Sequence, residues 1–327
     1  MFIYRFLTYF TLAIVFFSNT HIYALDIDAS NKKIAYLVSD MNIPFWNIMS
    51  KGISSKSNEL GYEIDIYSAD NSAKKELENT VNAIKTKVNG IILSPTNSSA
   101  AVTVLKLAQN AHIPVVIADI GTQGGKYISY ISSNNKDGAY KIGKILAKEM
   151  YKRNWQKGSV GIIAIPQSRD NGKERTAGFI KALSQHKIQS SNLYQQVDFS
   201  YAETYDFSIK LIKNDPKLRA IWLQGSDKYQ AALDAVIKSG KKDKILLICF
   251  DAEPSFMDLI PKGILTAAAM QQPFLIGEKA VLSLDSHLKG LKVELNQQVP
   301  VLAISAENMQ ENISLIKRNV LGLKQNK

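Results

Sequence analysis

The chain has 327 residues, 46% apolar and 21% charged, and its 40 Lys and Arg outweigh 29 Asp and Glu for a formal net charge of +11. Such a length holds two ordinary cores, and the composition is that of a soluble globular protein. The lysines are spread along amphipathic stretches (Lys51, Lys56, Lys74, Lys75, Lys85, Lys87, Lys106) rather than gathered into an arm, so they read as a solvated face and exclude nucleic acid as a partner.

Residues 1–24 carry one early charge, Arg5, then an apolar run over 6–17, a short polar stretch and Ala24. This pattern predicts a secretory signal peptide cleaved after Ala24. The apolar run is short for a bilayer span, and no cysteine closes the signal to accept a lipid. The mature chain is therefore expected outside the cytoplasm, free in solution, after a polar leader over 25–31.

The stretch IAYLVSDMNIPFW, 34–46, sets the pattern for the rest of the chain. Its first half reads as a strand buried on both faces, and Pro44 suits the first turn of a helix. The adjacent aromatics Phe45 and Trp46 then fall at the carboxyl end of a strand, where ligands bind in open α/β sheets. Strands are predicted at 33–39, 62–68, 90–94 and 114–118, with helices at 44–60, 73–88 and 98–111 between them. The rhythm restarts after Ser133 with helices at 137–152, 172–186, 202–214 and 228–239. Strands at 159–165, 193–199, 220–224, 244–250 and 264–270 go with them. A helix at 273–289, a strand at 299–304 and a helical tail at 308–323 complete the chain. Alternating units of this length predict an α/β fold with two doubly wound parallel sheets, and no flexible linker parts them.

Enzyme motifs are missing. The four histidines, His21, His112, His186 and His287, have no metal spacing, and there is no Gly-x-Ser-x-Gly elbow or P-loop. The glycine-rich run 121–125 lacks dinucleotide spacing and reads as a turn. Cys249, the single cysteine, lies in an apolar run, so neither an internal disulfide nor a zinc site built on cysteines can form. The chain is read as a binding protein without cofactor or metal. What it does carry is a polar residue at one strand end after another: Ser94, Asp119, Ser133, Asp251 and Gln271. A charged side chain at the end of a buried strand is costly unless paired, although each aspartate could instead cap the next helix. Arg175, opening the helix after the strand ending at Ile165, could hold a hydroxyl or carboxylate, or simply pair with Asp170 or Glu174.

These stretches resemble the periplasmic sugar-binding proteins of ABC importers, the ribose-binding type, over almost all of 32–308. IAYLVSDMNIPFW, ILSPTNSSA with PVVIAD, GKERTAGF, LQGSDKYQAALDAV, LICFDAEP and AMQQPFLIG occur in the family's order. The resemblance implies two Rossmann-like lobes joined by a three-strand hinge that close on a ligand, the type I periplasmic binding protein architecture. One lobe would take 32–133 plus 272–304, the other 134–271 plus 305–327. Phe45 and Trp46 would cover one sugar face and Phe199 the other. Asp119, Arg175, Asp251 and Gln271 would bond the hydroxyls, Ser94 and Ser226 would stand at family ligand positions, and Ser133 at the hinge.

The chain also departs from that family. Ile43 and Ile120 stand where an Asn and an Arg are usual, Ser94 replaces an Asn, and Gly225 or Ser226 another. A site with fewer donors implies a smaller polyol, a deoxy or modified sugar, or a furanosyl molecule of the autoinducer-2 kind, rather than ribose. The resemblance implies a periplasmic protein whose partner is an importer's membrane permease; a membrane sensor kinase or chemoreceptor is the alternative, to which the tail beyond Asn308 lends weight.

Overall fold

The structure, a computed structural model, describes residues 32–323. The signal peptide expected at 1–24 and the leader at 25–31 lie outside the described residues. The elements run β1 (Lys33–Val38), α1 (Pro44–Glu59), β2 (Glu63–Ser68), α2 (Ala73–Lys85), β3 (Gly90–Ser94), α3 (Ala100–Asn110), β4 (Val115–Ala118) and β5 (Ser129–Ser133). Then come α4 (Asn135–Lys152), β6 (Ser159–Ala164), α5 (Asp170–Gln185), β7 (Gln189–Gln195), α6 (Tyr201–Asn214), β8 (Leu218–Leu223), α7 (Tyr229–Lys238), β9 (Leu246–Phe250), α8 (Phe256–Leu259) and β10 (Ala267–Met270). The chain finishes with α9 (Pro273–Leu288), β11 (Asn296–Val299), β12 (Leu302–Ser305) and α10 (Met309–Leu315), the last running into a wider π-helical turn at Ile316–Val320.

Two six-stranded sheets result, ordered β2-β1-β3-β4-β5-β11 and β7-β6-β8-β9-β10-β12. All pairings are parallel except that of β12 with β10, which is antiparallel. The chain passes between the sheets three times: from β5 to α4, from β10 to α9, and from β11 to β12. The two α/β lobes expected from the sequence are present.

The alternation of β1 explains how the first sheet is buried. Ile34, Tyr36 and Val38 pack with residues of α1 and α9, while Ala35 and Leu37 pack with residues of α2 and α3 on the other face. Gly52 of α1 and Gly277 of α9 let those two helices touch, since a Cβ on Gly52 would lie 2.2 Å from the Phe274 carbonyl oxygen. In the second sheet Cys249 and Ile221 face α6, α7 and the tail, while Trp222 and Phe250 face α4 and α5. Burying each large apolar side chain contributes about 1.5–3 kcal/mol, so four such layers dominate the stability. Cys249 is fully buried there, and burial pushes its thiol well above the ordinary range.

Beyond β5 and the short α8, which the sequence reading did not assign, three segments differ from it. The single strand expected over 299–304 is two strands in two sheets, because Pro300 lies between them and cannot donate to a ladder. Residues 302–304 consequently join the second sheet rather than the first lobe's span of 272–304. Strand β7 begins four residues before the expected 193–199: it is an edge strand, largely solvated, so hydrophobicity does not mark its register. The tail, expected on the second lobe alone, does send Met309, Ile316 and Val320 into that lobe's core. It also reaches the first lobe, where Arg318 Nη2 donates to both carboxylate oxygens of Glu278 at 2.9 Å and Asn319 donates to Gln272 at 2.8 Å.

Candidate functional site

The carboxyl ends of the two sheets face each other across a cavity whose free space, mouth included, is about 530 Å³. The first lobe supplies Ile43–Trp46 and Asp119; the second supplies residues from the loops after β6, β7, β8 and β9 and from the start of α5.

Pro44 starts α1 without any side-chain cap at Ile43, so the first turn is fixed by the proline ring and holds both aromatics at the cavity. Phe45 and Trp46 meet edge to face, centroids 4.8 Å apart at 83°. Trp46 is 97% buried, its relative exposure being 3%. Phe199 arrives from the opposite lobe in the turn before α6. Its φ is 56°, a left-handed conformation rare for a bulky residue, and Glu203 holds it by accepting from its backbone N–H at 3.0 Å.

Asp119 and Asp251 occupy equivalent places in the two lobes. Each follows its strand directly (β4, β9), each is left-handed (φ 69° and 68°), and each donates its backbone N–H to the next strand, to Ile131 at 2.8 Å and Ala269 at 2.9 Å. Backbone strain of this kind gathers at functional positions. The alternative of helix capping does not hold for Asp119, which a loop follows. Its Oδ2 accepts from Asn171 Nδ2 at 3.3 Å, across the gap between lobes, and its buried Oδ1 has no protein partner among the described residues. Burial pushes its carboxyl up to about 7; the Arg175 guanidinium opposes this and Asp251 adds to it.

Arg175 is 2% exposed and stacks on Phe250 with its guanidinium carbon 3.9 Å from the ring centroid. Its Nε donates to Asn135 at 2.9 Å and its Nη1 to the Gln224 carbonyl at 2.6 Å, with Asp251 Oδ2 at 3.5 Å. Asp251 is thus its ion-pair partner, not Asp170 or Glu174. Burial raises the Asp251 carboxyl, against the pull of Arg175 and of the Gln271 amide, which donates to Oδ1 at 2.5 Å. Ser226 lines the cavity and donates to Glu253 at 2.7 Å, and burial pushes Glu253 up to about 7.

Seven of the ten residues singled out from the sequence therefore line the cavity: Phe45, Trp46, Asp119, Arg175, Phe199, Ser226 and Asp251. The other three stand behind it. Ser94 is fully buried, accepting from the Tyr36 hydroxyl at 3.1 Å and lying 3.6 Å from the Met49 sulfur, so its short side chain serves the wall rather than the cavity. Gln271 acts on Asp251, and Ser133 is buried at the first crossing with a hydroxyl that has no partner among the described residues. Ile120 is wholly buried in the first lobe's core, whereas Ile43 lines the cavity.

Sequence reasoning missed Arg169 and Asn171, which also line the cavity. Arg169 is 6% exposed and lies 5.6 Å from the Phe199 ring centroid. Burial lowers its guanidinium to about 10, against the pull of Asp119, so it remains charged at neutral pH. The expected thinning of donors is thus partly offset: where Ile120 withdraws a side chain on the first lobe, Arg169 enters from the second. Among the described residues no group of three or more His, Cys, Asp or Glu side chains is arranged to hold a metal ion.

Comparison with known proteins accords with this geometry. A family model for the periplasmic binding protein domain matches residues 34–292, a span that contains every residue lining the cavity. A ribose import binding protein of Haemophilus influenzae is 29% identical over 272 residues, covering 83% of this chain and 91% of its own. A D-apiose import binding protein of Actinobacillus succinogenes is 24% identical over 263 residues, covering 80% of this chain and 83% of its own. Among solved structures, a carbohydrate transporter solute binding protein of Agrobacterium radiobacter in complex with D-arabinose has a TM-score of 0.81 at 19% identity, over 89% of this chain and 99% of that one. With the family model spanning both lobes and the cleft between them, the chain belongs to the periplasmic binding protein family, and the relatives it matches are binding proteins, not enzymes.

Proposed function

We propose that this protein is an exported receptor that captures a sugar or sugar-like ligand between its lobes and presents it, in the periplasm, to the permease of an ABC importer. The observation that carries the reading is the pairing of surfaces in one cavity: Phe45 and Trp46 on one side, Phe199 on the other, and Asp119, Arg175, Asp251 and Ser226 among them. Flat rings bury the C–H faces of a sugar, while carboxylates and a guanidinium bond its hydroxyls. Gln271 orients Asp251, and Ser133 sits where a lobe rotation would pivot. The names of the relatives, import binding proteins for ribose and apiose, support the same class of ligand. We assign the first lobe to 32–133 plus 272–299 and the second to 134–271 plus 302–305, with the tail shared. Because that tail packs against the protein's own two lobes, it no longer argues for a sensor kinase or chemoreceptor as partner.

A thermal-shift panel of pentoses, hexoses, polyols and autoinducer-2 on the chain from Leu25 tests the proposal. A ligand at 100 times its Kd adds about 2.7 kcal/mol, or roughly 4 °C in Tm for a protein of this size. The responding sugar should fail to shift Asp119→Ala and Trp46→Ala. A folded protein that no member of the panel stabilises would refute the sugar reading.

A further inference from the structure

We infer that Arg169 is the bolt of the closed form: a second-lobe side chain that crosses the cleft, locks onto two first-lobe loops and slows the ligand's escape. The role rests on the proposed clamp function and adds a residue to it. Arg169 precedes α5 in the second lobe, yet its side-chain bonds go to the first. Its Nε donates to the Thr96 carbonyl at 3.1 Å and its Nη2 to Asn71 Oδ1 at 2.9 Å. Its Nη1 makes no hydrogen bond with another described residue, and the guanidinium flanks the cavity.

Both receiving loops are braced for the load. The Thr96 backbone N–H donates to Glu76 Oε1 at 2.7 Å and its hydroxyl to Glu76 Oε2 at 3.3 Å, and Glu76 is itself 1% exposed. Asn71 is held left-handed (φ 59°) while its N–H bonds the Ser39 carbonyl at 2.7 Å. On Arg169's own lobe, Phe199 packs beside the guanidinium. The second bond between lobes at this point, Asn171 to Asp119, is a neutral amide on a longer 3.3 Å contact. A buried cation that donates to two acceptors on the opposite lobe can make these bonds only when the lobes are together, so they favour the closed state alone.

The interlobe distance tests this. Spin labels at Lys74→Cys and Asp206→Cys, both exposed positions on opposite lobes, report the opening, since Cys249 is buried and stays unlabelled. Distances are measured by double electron–electron resonance with and without 10 mM D-ribose, D-arabinose or D-allose. Arg169→Gln and Asn71→Gly, the latter keeping the left-handed backbone, should each shift the closed-to-open ratio about tenfold or more toward open. The double variant should shift little beyond the stronger single one, and Arg169→Lys should recover part of the effect. For any sugar that binds, the variants should raise the dissociation rate and leave association nearly unchanged. If no sugar binds but the distances shift, the bolt stands and the sugar reading falls. If a sugar binds with unchanged dissociation and the distance distributions of variant and wild type coincide, the bolt falls and the sugar reading stands. Coincident distributions with no sugar bound overturn both.

Discussion

Replacing Arg175 with alanine should make the stability of this protein fall more steeply with rising pH than the parent's does. The guanidinium is almost wholly buried, pairs with Asp251 at 3.5 Å and pulls down the carboxyls of both Asp251 and Asp119. Its removal strands two buried carboxylates. Breaking a buried pair by deleting one partner costs about 3–5 kcal/mol. With about 2.1 cal/mol/K of unfolding entropy per residue over roughly 290 residues, that is a fall in Tm of about 5–8 °C. The carboxyls escape the penalty by protonating. Their folded pKa values, already raised, rise further in the variant, so its folded state holds protons that the unfolded chain, near 3.9, has released. Stability then declines as pH climbs from about 4 through the folded pKa, more steeply in the variant than in the parent. Melting both proteins between pH 5 and pH 8 should show the deficit widening with pH. A deficit that is flat with pH, or below about 2 °C at pH 8, would refute the claim that Arg175 acts by neutralising the two aspartates.

Further outcomes are expected. The parent protein without ligand should melt higher at pH 5 than at pH 8, because burial raises Asp119, Glu76 and Glu253 each to about 7. Stability contributed by such raised acids is lost as pH rises through the folded value; a melting temperature that climbs over this interval would contradict it. Gly52→Ala should destabilise by about 1–3 kcal/mol in urea titration, since its Cβ would meet the Phe274 backbone rather than a side chain able to move. Deleting the chain from residue 309 onward removes Met309, Ile316 and Val320 from the second lobe's core and should lower the urea midpoint, with the loss read by near-ultraviolet circular dichroism.

The fold was largely legible because its signals are local. Buried strands such as IAYLV carry their period in the sequence, and Pro44 and Pro273 mark the helices they start. The segments misread were those where the lattice of apolar residues goes silent. Strand β7 is an exposed edge, and the break between β11 and β12 depends on Pro300 handing the chain from one sheet to the other. The site was legible at the strand ends, where Asp119 and Asp251 stand out as charges after apolar runs. Ser94 misled because nothing local tells whether a strand-end hydroxyl meets a cavity or, as here, the Tyr36 hydroxyl. Arg169 was passed over for the opposite reason. In SRDNGKER it looks like one more solvated charge, and the partners that give it a role, Asn71 and Thr96, lie 98 and 73 residues away on the other lobe.

The shared tail also bears on how this protein could be used as a sensor in the laboratory. Its Met309, Ile316 and Val320 are rooted in one lobe, while Arg318 and Asn319 grip α9 of the other and Gly322 abuts Ile48 and Phe274. A segment anchored to both halves is where relative rotation turns into local strain. A fluorophore on exposed Leu315 would therefore read lobe motion as a change in its own surroundings, without a second dye and without touching the cavity.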